Sequence, residues 1–329
     1  MLKYKVCVTI VTYGDRWRFL EQVIKRVLSF DQVVNTVVVN NASSYDIPNI
    51  AANVTVLNNT VNEGSAGGYN QGITYAFENV DCDFIWLLDD DNLPDEGCLD
   101  KLLFQWDTIS SANSKKALFC FRDDRVTHIN IARGENPYRY YLVKNNFLGF
   151  HVGRILYNQY YKLADRFKKK LPYKERVAMP YVPYGGLLLH KQLVADIGYP
   201  NKELFLYVDD SEYSYRITQH GGTIWLVPAC KIVDIDKSQG INYKKRLFHS
   251  QLLDQWNFRT YYHVRNRVYF YSQVAIQNKF MFKINKALYL AFLRIISVLS
   301  SKRMAYKKLV NAVNDGLNGN LGIAKPDKF

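Results

Sequence analysis

The sequence predicts an α/β fold in which a doubly wound, mixed and mainly parallel sheet is flanked by helices and followed by a helical C-terminal extension. Apolar runs of strand length alternate with segments whose apolar residues recur at helical spacing, the pattern of strand–helix units. One run, Phe84–Leu88, is apolar at every position and fits a strand covered on both faces. The third observation is a change in charge after residue 236.

The first half of the chain begins with a strand over Tyr4–Thr12. A helix follows, because apolar side chains recur on one face between Trp17 and Leu28. The next predicted elements are strands over Thr36–Val39 and Asn53–Leu57, a helix from Asn62 to about Glu78, the strand Phe84–Leu88, a helix over Asp95–Ser110 and a strand over Lys116–Arg122.

The second half contains a loop-rich insert over residues 123–178, with one amphipathic helix near Ile155–Phe167. After the insert we expect a strand over Leu187–Leu189, a helix to about Ile197, a short apolar run over Leu204–Val208, a helix over Ser211–His220 and a strand over Thr223–Val227. Beyond Lys237 two aromatic-rich helices are predicted, over Leu247–Val274 and Lys279–Leu299.

Charge divides the chain into two predicted regions, residues 1–236 and residues 237–329. The second region contains 17 Lys and Arg against three acidic residues, a net charge of +14, so the total of +13 leaves −1 for the first. A nearly neutral domain followed by a basic region indicates an anionic partner surface, either a membrane or a nucleic acid. The 48% hydrophobic content excludes global disorder.

Targeting signals and cysteines favour a cytoplasmic location. The apolar run after Met1–Lys5 is too short for a signal peptide, and Arg294 interrupts the longest apolar stretch, Ala287–Leu299. Five cysteines are scattered without CxxC spacing, which argues against a disulfide framework or zinc site and for reduced thiols.

Three consecutive carboxylates, Asp89, Asp90 and Asp91, follow the apolar run Phe84–Leu88. Buried together they would repel each other, but a divalent cation at a sheet edge would make them tolerable. Ligands of open α/β sheets bind at the carboxyl ends of the strands. The stretch therefore indicates a metal-assisted site for a phosphate-bearing ligand, or equally a solvated turn formed by Asn92–Pro94.

A second acidic pair, Asp209 and Asp210, precedes a predicted helix, where the helix dipole favours negative charge. Capping of the helix N-terminus explains one of the two carboxylates. The second, followed by Glu212 and Arg216 at helical spacing, favours a functional site. The glycine-rich segment Asn62–Gly68 lets a backbone approach a phosphate or sugar closely. It matches neither GxGxxG nor a P-loop, and a glycine-eased helix start explains it as well.

Taken as an ordered set, the motifs TY, NNAS, NEGSAGGYNQG, LLDDDNLP and DDSEYSYR resemble those of the inverting glycosyltransferases of family two, which have the GT-A fold. The resemblance covers roughly residues 4–236. The DDD triplet, the DDxEYxxR helix start and the YYxxRN segment at Tyr261–Asn266 are most similar to bacterial galactofuranosyl- and rhamnosyltransferases. Residues 1–236 would then form the nucleotide-sugar-binding catalytic domain, and residues 237–329 would serve membrane association, packing or dimerisation.

The resemblance implies a role for each matching residue. Asp89 and Asp91 would hold Mn²⁺ or Mg²⁺ together with Asp234, which stands where relatives often have histidine. Asp210 would be the catalytic base, with Asp209 and Glu212 beside it. The implied donor-binding residues are Thr12, Tyr13, Asp15, Asn40, Asn41, Asn62, Gly64, Asn70 and Asp90. The implied acceptor-binding residues are Tyr184, Gly185, Gly186 and Arg265.

One departure concerns the base-reading position, where Asn40 replaces the usual aspartate. An amide can still pair with uracil or thymine, so the base of the donor stays open.

The implied activity is metal-dependent, inverting transfer of a sugar, with galactofuranose or rhamnose favoured, from a UDP- or dTDP-linked donor. The acceptor would be a glycan or lipid-linked glycan of bacterial capsule, O-antigen or cell-wall polysaccharide. We expect an anionic membrane surface as a partner, peripheral attachment to the inner face of the cell membrane, no nucleic acid and possible homo-oligomerisation.

Two alternatives remain. One is a catalytically silent nucleotide-sugar or glycan-binding module. The other is a nucleic-acid-binding protein, although the chain has no recognisable nucleic-acid-reading motif and aromatic-basic helices bind membranes equally well.

Overall fold

The computed structural model describes residues 3–167, 171–237, 243–244 and 246–329. The chain divides into two compact units, which we call the sheet unit and the helical unit. The sheet unit comprises Met1–Pro137, Pro172–Phe205 and Asp209–Gly240, and the helical unit comprises Tyr138–Leu171, Leu206–Val208 and Ile241–Phe329. The sequence predicts a single boundary after residue 236, whereas residues 138–171 and 206–208 group with the C-terminal helices.

Across the described part of the chain, nine strands form one mixed sheet in the order β3-β2-β1-β4-β8-β6-β9-β5, with β7 paired to β9. They are β1 (Val6–Thr12), β2 (Val33–Asn41), β3 (Val54–Asn59), β4 (Phe84–Asp89), β5 (Asn92–Pro94), β6 (Lys116–Phe121), β7 (Val177–Met179), β8 (Leu187–His190) and β9 (Thr223–Asp234). Strands β1 to β4 are parallel, and β8 is antiparallel to β4 and β6. The α/β class and mixed sheet predicted from the sequence are confirmed.

The helices of the described residues are α1 (Trp17–Val27), α2 (Gly64–Asn79), α3 (Cys98–Thr108), α4 (Val126–Ala132), α5 (Ile155–Phe167), α6 (Lys191–Ile197), α7 (Asp209–Gln219), α8 (Gln251–Asp254), α9 (Phe258–Val274), α10 (Lys279–Leu299) and α11 (Arg303–Asn318). In α1 the residues Leu20, Val23, Ile24 and Val27 are buried against the core, as their spacing predicts.

Strand β4 is central to the sheet, and its apolar residues Phe84–Leu88 are all fully buried. Its register with β1 places Asp89 opposite Val11, and the register of β1 with β2 places Thr12 opposite Asn40. Strands β1, β2 and β4 therefore end at one edge of the sheet, and the acidic triplet Asp89–Asp91 begins there. All five cysteines are buried and free of disulfides.

The apolar run Leu204–Val208 does not form a strand, contrary to its appearance in the sequence. A short 3₁₀ turn over Lys202–Leu204 leads into Phe205, Tyr207 and Val208, which all have left-handed φ angles of 61–66°. This conformation is unfavourable for a β-branched residue such as Val208. The run is a strained connection, and α7 begins immediately after it, at Asp209.

The helical unit is held together by buried polar contacts as well as apolar ones. The amide of Asn285 on α10 donates to the Asn145 carbonyl (2.8 Å) and its oxygen accepts from the Val152 backbone (2.9 Å), which ties the insert to the C-terminal helices. Asn266 on α9 donates to the carbonyls of Leu206 (2.9 Å) and Tyr207 (3.0 Å). These contacts explain why two separate stretches group with the helices.

Candidate functional site

The three carboxylates after β4 lie in three different environments. Asp89 is half-exposed and accepts a hydrogen bond from the Tyr69 hydroxyl (2.7 Å). Asp90 is buried, accepting from Thr12 Oγ1 (2.7 Å) and from Arg16 Nε (2.7 Å). Asp91 is largely buried and pairs with Arg16 at 3.0 Å. Asp89 and Asp91 therefore have carboxylate oxygens at the end of β4, whereas both oxygens of Asp90 are held by hydrogen bonds from Thr12 and Arg16.

Arg16 is a site residue that the sequence did not reveal. Its guanidinium contacts Asp90, Asp91 and, at 2.7 Å, Asp236, so one buried cation faces three carboxylates. Burial nevertheless raises the pKa of Asp90 to about 7. Burial and the charge of Asp89 raise the pKa of Asp91 to about 6. The site thus carries more negative charge than Arg16 neutralises.

A second group of polar contacts surrounds Asp234, at the end of β9. Asp234 accepts hydrogen bonds from Arg122, from Arg125 (2.5 Å) and from the Asn92 amide (3.0 Å). Arg122 also donates to Asn92 Oδ1 (3.0 Å) and to the Gly185 carbonyl (3.1 Å). Strand β5 makes this possible, because its pairing with β9 sets Asn92 opposite Asp234.

Asp89 and Asp91 suit a hard divalent cation, which prefers carboxylate oxygens. Burial and the charge of Asp89 raise the pKa of Asp91, and a bound cation would favour its ionised form. Asp234 fits less well, since both of its oxygens are engaged by guanidinium groups. Within the residues that the structure describes, no group of three or more His, Cys, Asp or Glu side chains is arranged to hold a metal ion.

The second acidic pair begins α7. Asp209 is buried and accepts from Ser65 Oγ (2.8 Å), while Asp210 Oδ1 accepts from the Ser211 N–H (2.6 Å) and hydroxyl (3.1 Å). Burial and the charge of Asp210 raise the pKa of Asp209. Burial also raises the pKa of Asp210, but less far, because Ser211 stabilises its charged form. The two hydrogen bonds from Ser211 therefore favour the ionised form of Asp210.

Two stacked tyrosines connect the two acidic centres. The rings of Tyr69 and Tyr184 lie 4.0 Å apart, and Tyr69 contacts Asp89. The Tyr184 hydroxyl is buried beside Asp209. Burial, followed by the charges of Asp209 and Asp210, raises the pKa of Tyr184. Ser65 and Tyr69, one turn apart on α2, donate to Asp209 (2.8 Å) and to Asp89 (2.7 Å), so one helix contacts both the triplet and the pair.

The two asparagines that end β2, Asn40 and Asn41, form hydrogen bonds to the residues ahead of α2. The Asn41 amide donates to Asn62 Oδ1 (3.0 Å) and to the Gly64 carbonyl (2.9 Å), and its oxygen accepts from the Glu63 backbone (2.9 Å). Asn40 donates to Asn58 (2.9 Å). The amide groups of both residues are thus used within the protein.

Three glycines of α2 lie too close to neighbouring residues to carry a side chain. A Cβ on Gly68 would lie 2.6 Å from Val11 Cγ1, and one on Gly72 would lie 2.5 Å from Thr9 Cγ2. Gly64 has a φ of +72° and lies against the Phe205 carbonyl. Close packing of α2 on β1 therefore accounts for Gly68 and Gly72, and the approach of a phosphate or sugar to the segment Asn62–Gly68 stays a prediction.

Gly185 lies directly beneath the first acidic centre. A Cβ there would stand 2.5 Å from Asp89 Oδ2 and 2.6 Å from Arg122 Nη2, and it would overlap Asn92. Gly186 has a φ of +101°, and its N–H donates to the Leu87 carbonyl (2.7 Å). These neighbours place both glycines at the end of β4, beside the implied metal ligands.

The remaining predicted residues are more dispersed. Tyr13 and Asp15 are exposed in the connection from β1 to α1, and the Asn70 amide donates to the Pro200 carbonyl (2.7 Å). Both oxygens of Glu212 accept from Arg216, at 2.9 and 2.7 Å. Arg265 lies in the helical unit, buried, with Nη1 donating to the Gly322 carbonyl (2.6 Å). The roles of these five residues stay predictions.

Comparison with known proteins gives one family match. Residues 7–161, just under half of the chain, match the model of "Glycosyl transferase family 2". Among curated proteins none matched.

Similar solved structures share 14–15% identity with this chain. They include GalNAc-T7 with UDP, GalNAc and Mn²⁺ (15% identity, 80% of this chain and 50% of that chain, TM-score 0.49). The mannosyltransferase PcManGT from Pyrobaculum calidifontis with GDP-Man and Mn²⁺ (14% identity, 96% and 88%, TM-score 0.48) is another. S. aureus TarS 1–349 in complex with UDP (14% identity, 69% and 59%, TM-score 0.44) is a third. This chain spans half the length of the GalNAc-T7 chain. The family match covers β1 to β6 and includes Asp89, Asp90 and Asp91. It agrees with the motif resemblance found in the sequence.

Proposed function

We propose that the protein is an inverting, metal-dependent hexosyltransferase that uses a nucleoside-diphosphate sugar. The observation that carries the proposal is that helix α2 contacts two acidic centres, Asp89 and Asp91 for a cation and Asp209 and Asp210 for a base. Ser65 and Tyr69, one turn apart on α2, donate to Asp209 (2.8 Å) and to Asp89 (2.7 Å). Glycosyl transfer needs both functions, since the leaving diphosphate must be neutralised and the attacking hydroxyl must lose a proton.

Asp210 is the proposed base because one of its oxygens is held and the other is not. Ser211 fixes Oδ1, while Oδ2 has no hydrogen-bond donor within the described residues. An acceptor hydroxyl placed at Oδ2 would pass its proton to Asp210 as its oxygen bonds to the sugar C1. The C1–oxygen bond to the diphosphate breaks on the opposite face, which inverts the anomeric centre.

Asp209 and Asp89 have supporting roles in this scheme. Asp209 keeps its proton more readily than Asp210 because it is buried beside that charge, so the pair avoids two adjacent charges. Asp89 and Asp91 would hold Mn²⁺ or Mg²⁺, which when bound neutralises charge on the leaving diphosphate. The Tyr69 hydroxyl orients Asp89 for that task by its 2.7 Å hydrogen bond.

For the donor we propose UDP-galactofuranose or dTDP-rhamnose, and for the acceptor a glycan or lipid-linked glycan of a bacterial surface polysaccharide. The support is the motif resemblance at the DDD triplet and the YYxxRN segment. The amide of Asn40 is compatible with uracil or thymine, although in the free protein it donates to Asn58.

We further propose reversible attachment to an anionic membrane surface through α10. Four large apolar residues on this helix, Leu288, Phe292, Ile295 and Leu299, are exposed and recur at spacings of four and three, so they share one face. Residues 279–308 contain eight Lys and Arg and no acid. Each basic residue near an anionic bilayer contributes about 1 kcal/mol. No described helix is long and apolar enough to cross a membrane, so the proposed contact is with the surface.

The function is tested with a panel of nucleotide sugars, each incubated with and without Mn²⁺ and assayed for release of nucleoside diphosphate. We expect release that requires both a donor from this panel and the cation. A silent binding module would bind a donor without releasing diphosphate, and a nucleic-acid-binding protein would bind none of them.

A further inference from the structure

Asp234 is engaged by two arginines at the point where a third metal ligand was predicted. Its Oδ1 accepts from Arg122 and its Oδ2 accepts from Arg125 at 2.5 Å. The Asn92 amide adds a third donor to Oδ1 at 3.0 Å. For Asp234 to bind a cation, at least one of these charged hydrogen bonds would have to be released.

Arg122 is unusually placed for a structural arginine. Its side chain is 6% exposed, it is held by Asn92 Oδ1 and the Gly185 carbonyl, and its Nη2 lies 3.8 Å from Asp89 Oδ2. The buried Nε has no hydrogen-bond partner. A buried cation with an unused donor, beside a carboxylate of the donor site, is suited to an anionic ligand.

Arg125 complements Arg122 from the outside. Its side chain is 53% exposed, so its guanidinium spans from Asp234 to solvent. Guanidinium groups match phosphate oxygens in geometry and stay charged at every physiological pH. Asp234 neutralises part of their charge and holds both guanidinium groups at the end of β9.

We propose that Asp234 is the anchor of an arginine pair, Arg122 and Arg125, that binds the diphosphate of the donor, and that it is not a metal ligand. The inference rests on the proposed function for the identity of the donor. The site then has two separate parts. Asp89 and Asp91 bind the cation, whereas Asp234 positions the two arginines that bind the phosphates.

The experiment measures binding and not turnover, with wild type, Asp234→Asn, Arg125→Gln and Asp91→Asn. Free Mn²⁺ is followed by electron paramagnetic resonance, and UDP, dTDP and inorganic pyrophosphate are titrated by calorimetry in EDTA. Arg18→Gln, on the exposed side of α1, is the matched control. Circular dichroism and thermal unfolding confirm that each variant is folded, and Arg125, being exposed, keeps the test available if Asp234→Asn does not fold.

We expect Arg125→Gln to weaken metal-free binding of diphosphate by about tenfold or more, the value of a charged hydrogen bond. Mn²⁺ binding should change by less than about threefold in Arg125→Gln and Asp234→Asn but weaken by about tenfold or more in Asp91→Asn, which loses a ligand. Arg18→Gln should behave as wild type.

Any of three results would overturn the inference. One is a loss of Mn²⁺ affinity in Asp234→Asn equal to that in Asp91→Asn. The second is metal-free diphosphate binding by Arg125→Gln at the wild-type affinity, and the third is no binding of any probe by wild type. If pyrophosphate binds in an Arg125-dependent way and neither nucleotide binds, the arginine pair stands and the proposed donor class fails.

Discussion

Replacing Asp210 by asparagine removes the proposed catalytic base while keeping the fold. Asparagine keeps an oxygen that can accept the two hydrogen bonds from Ser211, at 2.6 and 3.1 Å. It replaces the unpartnered Oδ2 by an amide nitrogen, which cannot take a proton. The change also removes a charge next to Asp209, so the fold should be at least as stable as in wild type.

The expected loss is in transfer and not in binding. Removal of a general base lowers the rate by roughly 10²–10⁴-fold. The affinity for nucleoside diphosphate should stay within about threefold, since Asp210 makes no proposed contact with the donor phosphates and a threefold change is below one hydrogen bond. Single-turnover transfer and calorimetric titration measure the two quantities. Transfer by Asp210→Asn within tenfold of wild type, or comparable loss of donor affinity, would refute the assignment.

The pH dependence gives an internal check on the same residue. Burial raises the pKa of Asp210 above the ordinary aspartate range, and the base works only when ionised. Transfer should therefore fall, as the pH is lowered, at a higher pH than for an ordinary aspartate. Ser211→Ala removes the 3.1 Å hydrogen bond that lowers this pKa, so its acid limb should shift to higher pH. Ser29→Ala, an exposed serine on another face, should leave the limb unchanged.

Three further outcomes are expected. Asp91→Ala should abolish activity while the protein keeps its fold. Burial and the charge of Asp89 raise the pKa of Asp91, so removing this carboxyl relieves repulsion. Full turnover in excess EDTA would argue against a role for the cation. Gly185→Ala should weaken Mn²⁺ binding and activity more than Gly198→Ala, since a Cβ at Gly185 meets Asp89 and Arg122 and one at Gly198 meets nothing; equal effects of the two changes would contradict the close approach. Binding to anionic vesicles should weaken as the salt concentration rises, and also when Lys302, Arg303, Lys307 and Lys308 are changed to Gln. Phe292→Ser and Ile295→Ser should weaken it as well. A salt-independent dimer in place of vesicle binding would show that the exposed face of α10 binds a second copy of the chain.

Long periodic elements were predictable from the sequence, and short or interrupted ones were not. Helix α10 has the predicted bounds, and α5 lies where its amphipathic pattern indicated. The segment over Leu247–Val274 looked like one helix, but Asn257 caps a new one by accepting from Thr260 N at 3.1 Å. Strands β5 and β7 have three residues each, too few for any periodicity to show.

For the site, the acidic residues could be found and their basic partners could not. Asp89 and Asp210 stand out because polar residues follow apolar runs. Arg16, Arg122 and Arg125 carry no local signal, since their partners lie as many as 220 positions away in the chain. Long-range ion pairs depend on which strands become neighbours, and only the sheet order supplies that information.

The central claim, inverting transfer from a nucleoside-diphosphate sugar, is tested most directly by following the anomeric proton of the sugar by ¹H NMR. The wild-type protein is incubated with Mn²⁺, the donor found active in the panel and an acceptor. We expect the first product formed to have the anomeric configuration opposite to that of the donor, with one nucleoside diphosphate released per sugar transferred. A product of retained configuration, or no transfer from any donor of the panel, would contradict it.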